Sequence, residues 1–359
     1  MLTVFAPGRI NLIGEHTDYN QGYCIPLTLG LGITVSAHFI EEQQIELSSD
    51  YERTNEPCFH RFLYSENWVK QNHWTDYCIG VIAELRKYIS ISVGISLHFS
   101  STLPAGSGLS SSAALEICTA RAVIQLLDQN LTSIEIAKLC QKAENEFVGV
   151  NCGILDQLAI ADGMSGYCTF IDTQNLSTQK TLFDIPKGFL TIINSQITRE
   201  LTNSAYNIRR KECEQAVAAI QKYGFQIQSL RDANEKMISC IKEPILYARA
   251  KHVVSENSRV LSAWAAIQQK DWNQLGKIWV ESHLSLQNDY EVSCEALDFW
   301  VNTVLKLPGS LGARMTGAGF GGCIIALIDP KILNSNWNLI AAEYYEKFGI
   351  EPTRITTNA

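Results

Sequence analysis

Residues 94–114, "GISLHFSSTLPAGSGLSSSAA", change character twice within a short stretch of chain. In "GISLHF", Ile95, Leu97 and Phe99 alternate with polar neighbours, the period of a strand with one buried face. "SSTLPAGSGLSSS" cannot extend that strand, because a proline and two glycines interrupt it and three serines follow. From there Ala113, Ile117, Ala120, Ile124 and Leu127 recur at helical spacing, an apolar stripe. The predicted order is strand, glycine-rich loop, helix. Gly106 and Gly108 let the backbone approach a ligand, while Ser110, Ser111 and Ser112 stand where free N–H groups and the positive end of the helix dipole face the loop. Such a loop cradles an anion, most simply a nucleoside triphosphate with a serine hydroxyl turned to Mg2+. A serine N-cap on an ordinary loop is the plainer reading, yet it needs one serine and no glycine pair. Neither G-x-x-x-x-G-K-[ST] nor G-x-G-x-x-G is met in this loop.

Outward from this segment the chain alternates helix and strand signals. "TSIE" at Thr132–Glu135 is a capping-box pattern, and the helix it opens runs through Leu139, Ala143 and Phe147 to "GVNCG". "FLTIINS" reads as a buried strand, 204–223 as a long amphipathic helix, and Met237 to about Gln287 as mostly helical. "GCIIALI" is a further strand, preceded by "MTGAGFGG". Gly317, Gly319 and Gly322 there formally spell G-x-G-x-x-G, but they lead into a strand rather than a helix, so a dinucleotide fingerprint does not fit. The pattern as a whole is mixed α/β or α+β. A length of 359 residues suits two domains, and no internal repeat divides the chain.

Composition narrows the function. The chain is 46% hydrophobic and 18% charged, as a globular protein with a sizeable core is, and a net charge of -8 without a Lys/Arg block argues against a nucleic-acid surface. The start lacks the basic and apolar regions of a secretory signal, and no apolar run approaches membrane-spanning length, so a cytoplasmic protein is expected. The 11 cysteines, an odd number without a C-x-x-C pair, read as reduced, mostly buried thiols. The 7 histidines are isolated from one another at zinc-site spacing. Only His16 stands apart, inside "GEHTDYN" (14–20), where carboxylates, an imidazole, a phenol, an amide and a hydroxyl crowd one loop. A turn needs far fewer polar groups, which points to a polar ligand. In "AENEFVGVNCGILDQ" local evidence alone makes Asp156 an N-cap and Glu144 a solvated helix residue.

Taken together, "PGRINLIGEHTDYNQGY", "LPAGSGLSSSAALE" and "MTGAGFGGCIIAL" resemble, in order and separation, the three motifs of the GHMP small-molecule kinases. The first is similar to the galactokinase signature within them, and "AENEFVGVNCGILDQ", "INSQITRELTNSAYNIRRKEC", "KHVVSENSRV" and "ESHLSLQNDYEVS" extend the likeness over nearly the whole chain. The resemblance implies an α+β, two-lobed GHMP-kinase fold: a ribosomal-protein-S5-like N-terminal lobe (1–185), a ferredoxin-like C-terminal lobe (186–359), and an active site in the cleft. It implies transfer of phosphate from ATP to the anomeric hydroxyl of D-galactose, with a kinase for N-acetylgalactosamine or a non-catalytic sugar sensor as alternatives.

By position, Asp156 would be the catalytic carboxylate and Arg9 would stabilise charge at the reacting centre. Glu15, His16, Asp18 and Tyr206 would hold sugar hydroxyls, with Gly153 offering its backbone and Asp156 also touching the sugar. Gly106, Ser107, Gly108, Leu109, Ser110, Ser111 and Ser112 would surround the ATP phosphates, Trp74 and Tyr77 would lie near the nucleotide, and Ser112 with Glu144 would coordinate Mg2+. Tyr19 and Asn20 would support the loop. The expected partners are a small sugar and ATP, with neither nucleic acid nor membrane, acting as a monomer. One departure is Ala318, where the third motif usually has glycine; its methyl could crowd the loop.

Overall fold

The computed structural model describes residues 1–50, 58–65, 67–104, 106–197 and 202–355, with the side chains of 202–204 left aside. These residues divide into two compact units that interleave along the chain: residues 1–9, 28–105 and 109–164 in one, 10–27, 106–108 and 165–359 in the other.

The first unit is built on β1 (Leu2–Ile13), β2 (Tyr23–Ile40), β3 (Gln44–Ser49), β4 (Phe59–Leu63) and β5 (Gly94–Ser101), with β1 and β2 passing on into the second unit. Within it β5 pairs antiparallel with β2 and parallel with β3, which carries β4 on its other edge. The register explains the alternation in the sequence. Val35 faces Phe99 and Ala37 faces Leu97 across one ladder, while Ile45 and Leu47 meet Ile95 and Leu97 across the other. All of these side chains are buried, whereas Thr34, Ser36 and His98 between them are not. Helices α1 (Thr75–Leu85), α2 (Ser111–Leu126), α3 (Ser133–Lys142) and α4 (Leu155–Asp162) pack on one another in this unit. Cys118 on α2 donates to the carbonyls of Val4 and Ile33 (both 3.4 Å), which presses α2 against β1 and β2.

Two sequence expectations change in detail. The α2 stripe widens, since Leu115, Glu116, Cys118, Thr119, Ala122 and Val123 are buried besides the expected residues, and Leu127 caps the helix half-buried. α3 has the expected capping box, Thr132 with Glu135, but does not run to Phe147 as a regular helix. It gives way to one π-helical segment, Ala143–Val148, closed by left-handed Gly149 (φ 87°).

In the second unit, β6 (Tyr167–Asp172) pairs with the Tyr23–Leu27 end of β2 and with β7 (Ser177–Leu182). After β8 (Leu190–Asn194) the chain is helical: α5 (Thr202–Gln221), the short α6 (Glu235–Ile238), α7 (Pro244–Gln268), α8 (Trp272–Asn288) and α9 (Glu295–Lys306). It ends in β9 (Ser310–Met315), β10 (Cys323–Ile328), α10 (Pro330–Phe348) and β11 (Thr353–Ile355). The second sheet runs β11-β8-β10-β9, antiparallel throughout. Every residue of β8 and β10 is buried, so "GCIIALI" reads as an unbroken apolar run, and in "FLTIINS" even the polar Thr191 and Asn194 lie inside. Each fully buried Ile or Leu there contributes about 1.5–3 kcal/mol. Helix α8 meets β9 backbone to backbone: a Cβ on Gly276 would lie 2.1 Å from Leu311 O, and one on Gly312 would lie 2.4 Å from Gly276 Cα. Among the described residues no helix is long and apolar enough to cross a membrane, and all 11 cysteines are free thiols.

Candidate active site

In the first unit the chemistry collects where β1 meets the glycine-rich loop. Gly8 makes the approach possible, since a Cβ there would meet Leu103 Cδ2 at 2.6 Å and Leu109 O at 2.9 Å. The next residue, Arg9, is held by its own N–H to Leu109 O (3.1 Å). Its side chain then reaches Asp156, near the start of α4, with Nε donating to Oδ1 (2.7 Å) and Nη2 to Oδ2 (2.8 Å). This two-pronged pair fixes both the distance and the plane of the carboxylate. Asp156 keeps 32% of its side-chain surface exposed against 7% for Arg9, so the carboxylate is the accessible partner. A third donor comes from Ser110, whose hydroxyl lies 2.6 Å from Asp156 Oδ2. Ser110 was expected in the phosphate loop through its backbone; its side chain serves the carboxylate.

Behind this pair lies a buried acidic cluster. Glu144, on the π-helical segment, accepts from the Gln157 amide (2.6 Å), from the Cys152 thiol (3.3 Å) and from the Ser112 hydroxyl. Burial, with the charge of Asp156 adding to it, pushes Glu144 up to about 7. The same Gln157 Nε2 donates to Glu116 Oε2 (3.1 Å), a carboxyl on α2 that burial and then Glu144 raise well above the ordinary range. Among the described residues, Glu116 Oε1 and Gln157 Oε1 are buried without a hydrogen-bond partner. A hydroxyl and a carboxylate side by side, in a cluster short of positive charge, are a donor set that fits a hard divalent cation. Among the described residues no three His, Cys, Asp or Glu side chains form a metal cage, so a cation here would draw its remaining ligands from phosphate oxygens and water. Gly153 is buried three positions before Asp156. Trp74 precedes α1, half-buried, with its ring edge-on to Phe99 (5.9 Å between centroids) and near His73 and His60. Burial raises the Tyr77 phenol beside it.

In the second unit the loop "GEHTDYN" is held from within. Thr17 Oγ1 donates to Gly14 O (2.8 Å) and Tyr23 O (2.6 Å), and Asn20 Nδ2 donates to His16 O (2.9 Å). Asp18 opens a single 3-10 turn, Asp18–Asn20, and is half-buried. Glu15 is 3% exposed; its carboxylate accepts from Gly317 N (3.2 Å) and from Arg314, which is fully buried on β9. Burial raises Glu15 while Arg314 opposes the rise. Arg314 also donates to Leu12 O (2.8 Å) and lies 3.6 Å from Glu256, itself paired with Arg259 (2.7 Å).

His16 has a defined tautomer. Its Nε2 faces Ala318 O (3.2 Å), and a carbonyl only accepts, so Nε2 carries the hydrogen. Nδ1 therefore accepts from Tyr19 OH (2.9 Å), Tyr19 accepts from Tyr290 OH (2.7 Å), and Tyr290 is left to accept from the Cys213 thiol (3.1 Å). Burial, then His252, hold the imidazole neutral at about 3. Both ring nitrogens are thus engaged inside the protein, and the ring packs 5.6 Å from Tyr206 and 4.7 Å from Tyr290. Tyr19 and Asn20 support the loop as the sequence suggested.

In the third glycine-rich loop the left-handed positions surround Ala318 without including it. Gly317, Gly319, Phe320, Gly321 and Gly322 all have positive φ, and a Cβ on Gly319 would lie 2.2 Å from Val292 O. Ala318 is not among the left-handed residues, so its methyl costs no backbone strain. Sequence reading missed Glu116, Gln157, Arg314 and Glu256. A lone Glu inside "AALEICTA" and a lone Arg inside the buried strand "LGARM" were the available signals, since ions in apolar elements need partners.

The chain matches the GHMP kinases N terminal domain over residues 76–164 and the GHMP kinases C terminal domain over 263–335. The class is therefore a GHMP-type small-molecule kinase, using ATP as co-substrate. Residues 2–39 match the galactokinase galactose-binding signature. Galactokinase of Thermosipho africanus is 37% identical across 100% of this chain and 98% of its own length, and that of Thermotoga maritima is 38% identical across 98% and 96%. The crystal structure of Lactococcus lactis galactokinase complexed with galactose superposes with a TM-score of 0.93 at 34% identity, covering 99% of this chain and 92% of that one. This chain belongs to the galactokinase family.

Proposed function

We propose that the protein phosphorylates D-galactose at its anomeric hydroxyl, using ATP and releasing ADP. The observation that carries the substrate is the galactose-binding signature at residues 2–39 in a chain that galactokinases match end to end. Asp156 accepts the anomeric proton or orients it for transfer. The anomeric oxygen forms the new P–O bond to the γ-phosphorus as the bond to the β-phosphate oxygen breaks, and the electron pair leaves with ADP. Arg9, already seated on Asp156, stabilises the charge that spreads over the transferring group. Glu15, Asp18 and Tyr206 select hydroxyls, because a misplaced hydroxyl would leave a buried polar group unpaired. Glu15 retains acceptor capacity for this after its two protein bonds. His16 contributes its ring face or backbone rather than a ring nitrogen.

The backbone of residues 106–112 receives the phosphates, and Trp74 with Tyr77 borders the nucleotide. Ser112 and Glu144 would hold Mg2+, which neutralises phosphate charge. Phosphorus NMR of the product from ATP, Mg2+ and a panel of hexoses tests the proposal. Galactose is expected to give an anomeric phosphate fastest. Faster turnover of a 2-acetamido sugar, or sugar and ATP binding without turnover, would overturn it.

A further inference from the structure

We infer that Ser110 is a positioning residue for the Asp156 carboxylate, and that its left-handed backbone serves to deliver the hydroxyl there. The inference rests on the proposed role of Asp156. A serine before a helix normally sits in extended backbone and accepts a hydrogen bond from the second or third helical N–H. Ser110 does neither. Its backbone is at φ 60°, ψ 46°, and its side chain makes no capping bond, although its carbonyl takes the first helical bond from Ala114 N (2.9 Å).

Among the described residues of this loop, three adopt the left-handed region: Gly106 at φ 65°, Gly108 at φ 74° and Ser110 at φ 60°. Glycine visits that region without penalty, whereas a residue with a Cβ stays there only when its surroundings hold it. What glycine would lack at 110 is the hydroxyl, and the hydroxyl lies 2.6 Å from Asp156 Oδ2. A carboxylate oxygen only accepts, so Ser110 is the donor. With 6% of its surface exposed, Ser110 has little water to turn to instead.

The arrangement gives Asp156 two kinds of support. The carbonyl of Leu109 accepts from the backbone N–H of Arg9 while the next residue donates to the carboxylate with which Arg9 is paired, so adjacent positions of one loop anchor both side chains that donate to Asp156. When the phosphoryl group draws on the guanidinium, the bond from Ser110 remains and keeps Oδ2 from rotating with it. A neutral hydroxyl suits that task, because it does not compete for the phosphoryl charge.

The test uses Ser110→Gly and Ser110→Ala in the full-length enzyme. Ser110→Gly suits the same left-handed backbone and removes the hydroxymethyl group, and the bond to Asp156 with it. Its thermal midpoint is expected to match or exceed that of the parent, while kcat falls about 10- to 100-fold, the effect of losing one hydrogen bond to a charged group. ATP dissociation constants and the KM for sugar should stay within about threefold, a split that general loop damage would not produce. In an Asp156→Asn background, adding Ser110→Gly should change the residual rate less than about twofold, because the two residues act through one interaction. A kcat within about twofold of the parent, or a loss confined to ATP affinity, overturns the inference. Ser110→Gly decides the matter even if Ser110→Ala, which keeps the strain without the bond, fails to fold. An active Asp156→Ala enzyme would sink the reading of Asp156 itself; an inactive one beside a fully active Ser110→Gly enzyme would sink only the role of Ser110.

Discussion

The Arg9–Asp156–Glu144–Glu116 cluster of the first unit and the Glu15–Arg314–Glu256–Arg259 cluster of the second both gather buried carboxyls, yet they are balanced in opposite ways. In the second, guanidinium groups stand beside both carboxyls: burial still raises Glu15 against the opposing Arg314, but Arg259, His252, Arg314 and Ser282 overcome burial at Glu256 and bring it down to about 2. In the first, Glu144 and Glu116 share the neutral amide of Gln157, and both are raised. A closed cluster holds a binding loop in one shape before any ligand arrives. On the proposed function, the acidic one would be completed by the Mg2+ that accompanies ATP, and that difference would separate a recognition surface from a reaction centre.

The sharpest way to break the comparison is at its chemical end. Asp156→Ala should lower kcat by about 10²–10⁴-fold while leaving ATP affinity, measured by titration calorimetry, within about threefold. Near-normal turnover would remove Asp156 from the chemistry. At the structural end, Arg314→Met strands Glu15, while Glu256 keeps Arg259, and should cost about 3–5 kcal/mol in urea unfolding. If it costs under about 1 kcal/mol, the second cluster is not held by charge closure.

A smaller effect follows from the imidazoles of the second unit. Burial keeps His16 at about 3 and His252 at about 4, both below the ordinary value of 6.5, so each is neutral when folded and takes up a proton more readily when unfolded. The sign is that of a depressed pKa: their contribution is present above 6.5 and is lost as pH falls towards 4. At pH 5.5 each should cost about 1.4 kcal/mol relative to neutral pH. Urea midpoints taken between pH 7.5 and 5 should fall for the parent and fall less for His252→Gln; equal slopes would contradict the assignment. The mildest change is Tyr19→Phe, which removes the donor to His16 Nδ1 and the link to Tyr290. It should cost about 1 kcal/mol of stability and raise the sugar KM a few fold with kcat little changed, measured by steady-state kinetics. A fall in kcat with unchanged KM would move His16 from the recognition side to the chemical one.

Much of this molecule was legible in its residues. The alternation of Ile95, Leu97 and Phe99, the Thr132 capping box and the apolar runs that became β8 and β10 are local patterns, and local patterns survive in any packing that keeps one face dry. The three motifs, read as a resemblance, placed Arg9, Asp156, Ser112 and Glu144 in one functional account. The π-helical turn under Glu144 was not legible, since its sequence continues a good helical stripe while the turn itself packs against α1 and α3. Nor was the interleaving of the two units, because which segments share a core is a property of long-range contacts.

By itself the sequence determined element types, the glycine positions where backbone must approach backbone, and the membership of a kinase family, because each rests on residue identity and spacing. Tertiary structure alone decided how polar groups are partnered. It turned the hydroxyl of Ser110 from capping to Asp156, engaged both nitrogens of His16, matched Arg314 to Glu15 and left Glu144 beside Glu116. A hydrogen bond or ion pair depends on ångström distances between groups far apart in the chain, and no local pattern encodes those distances.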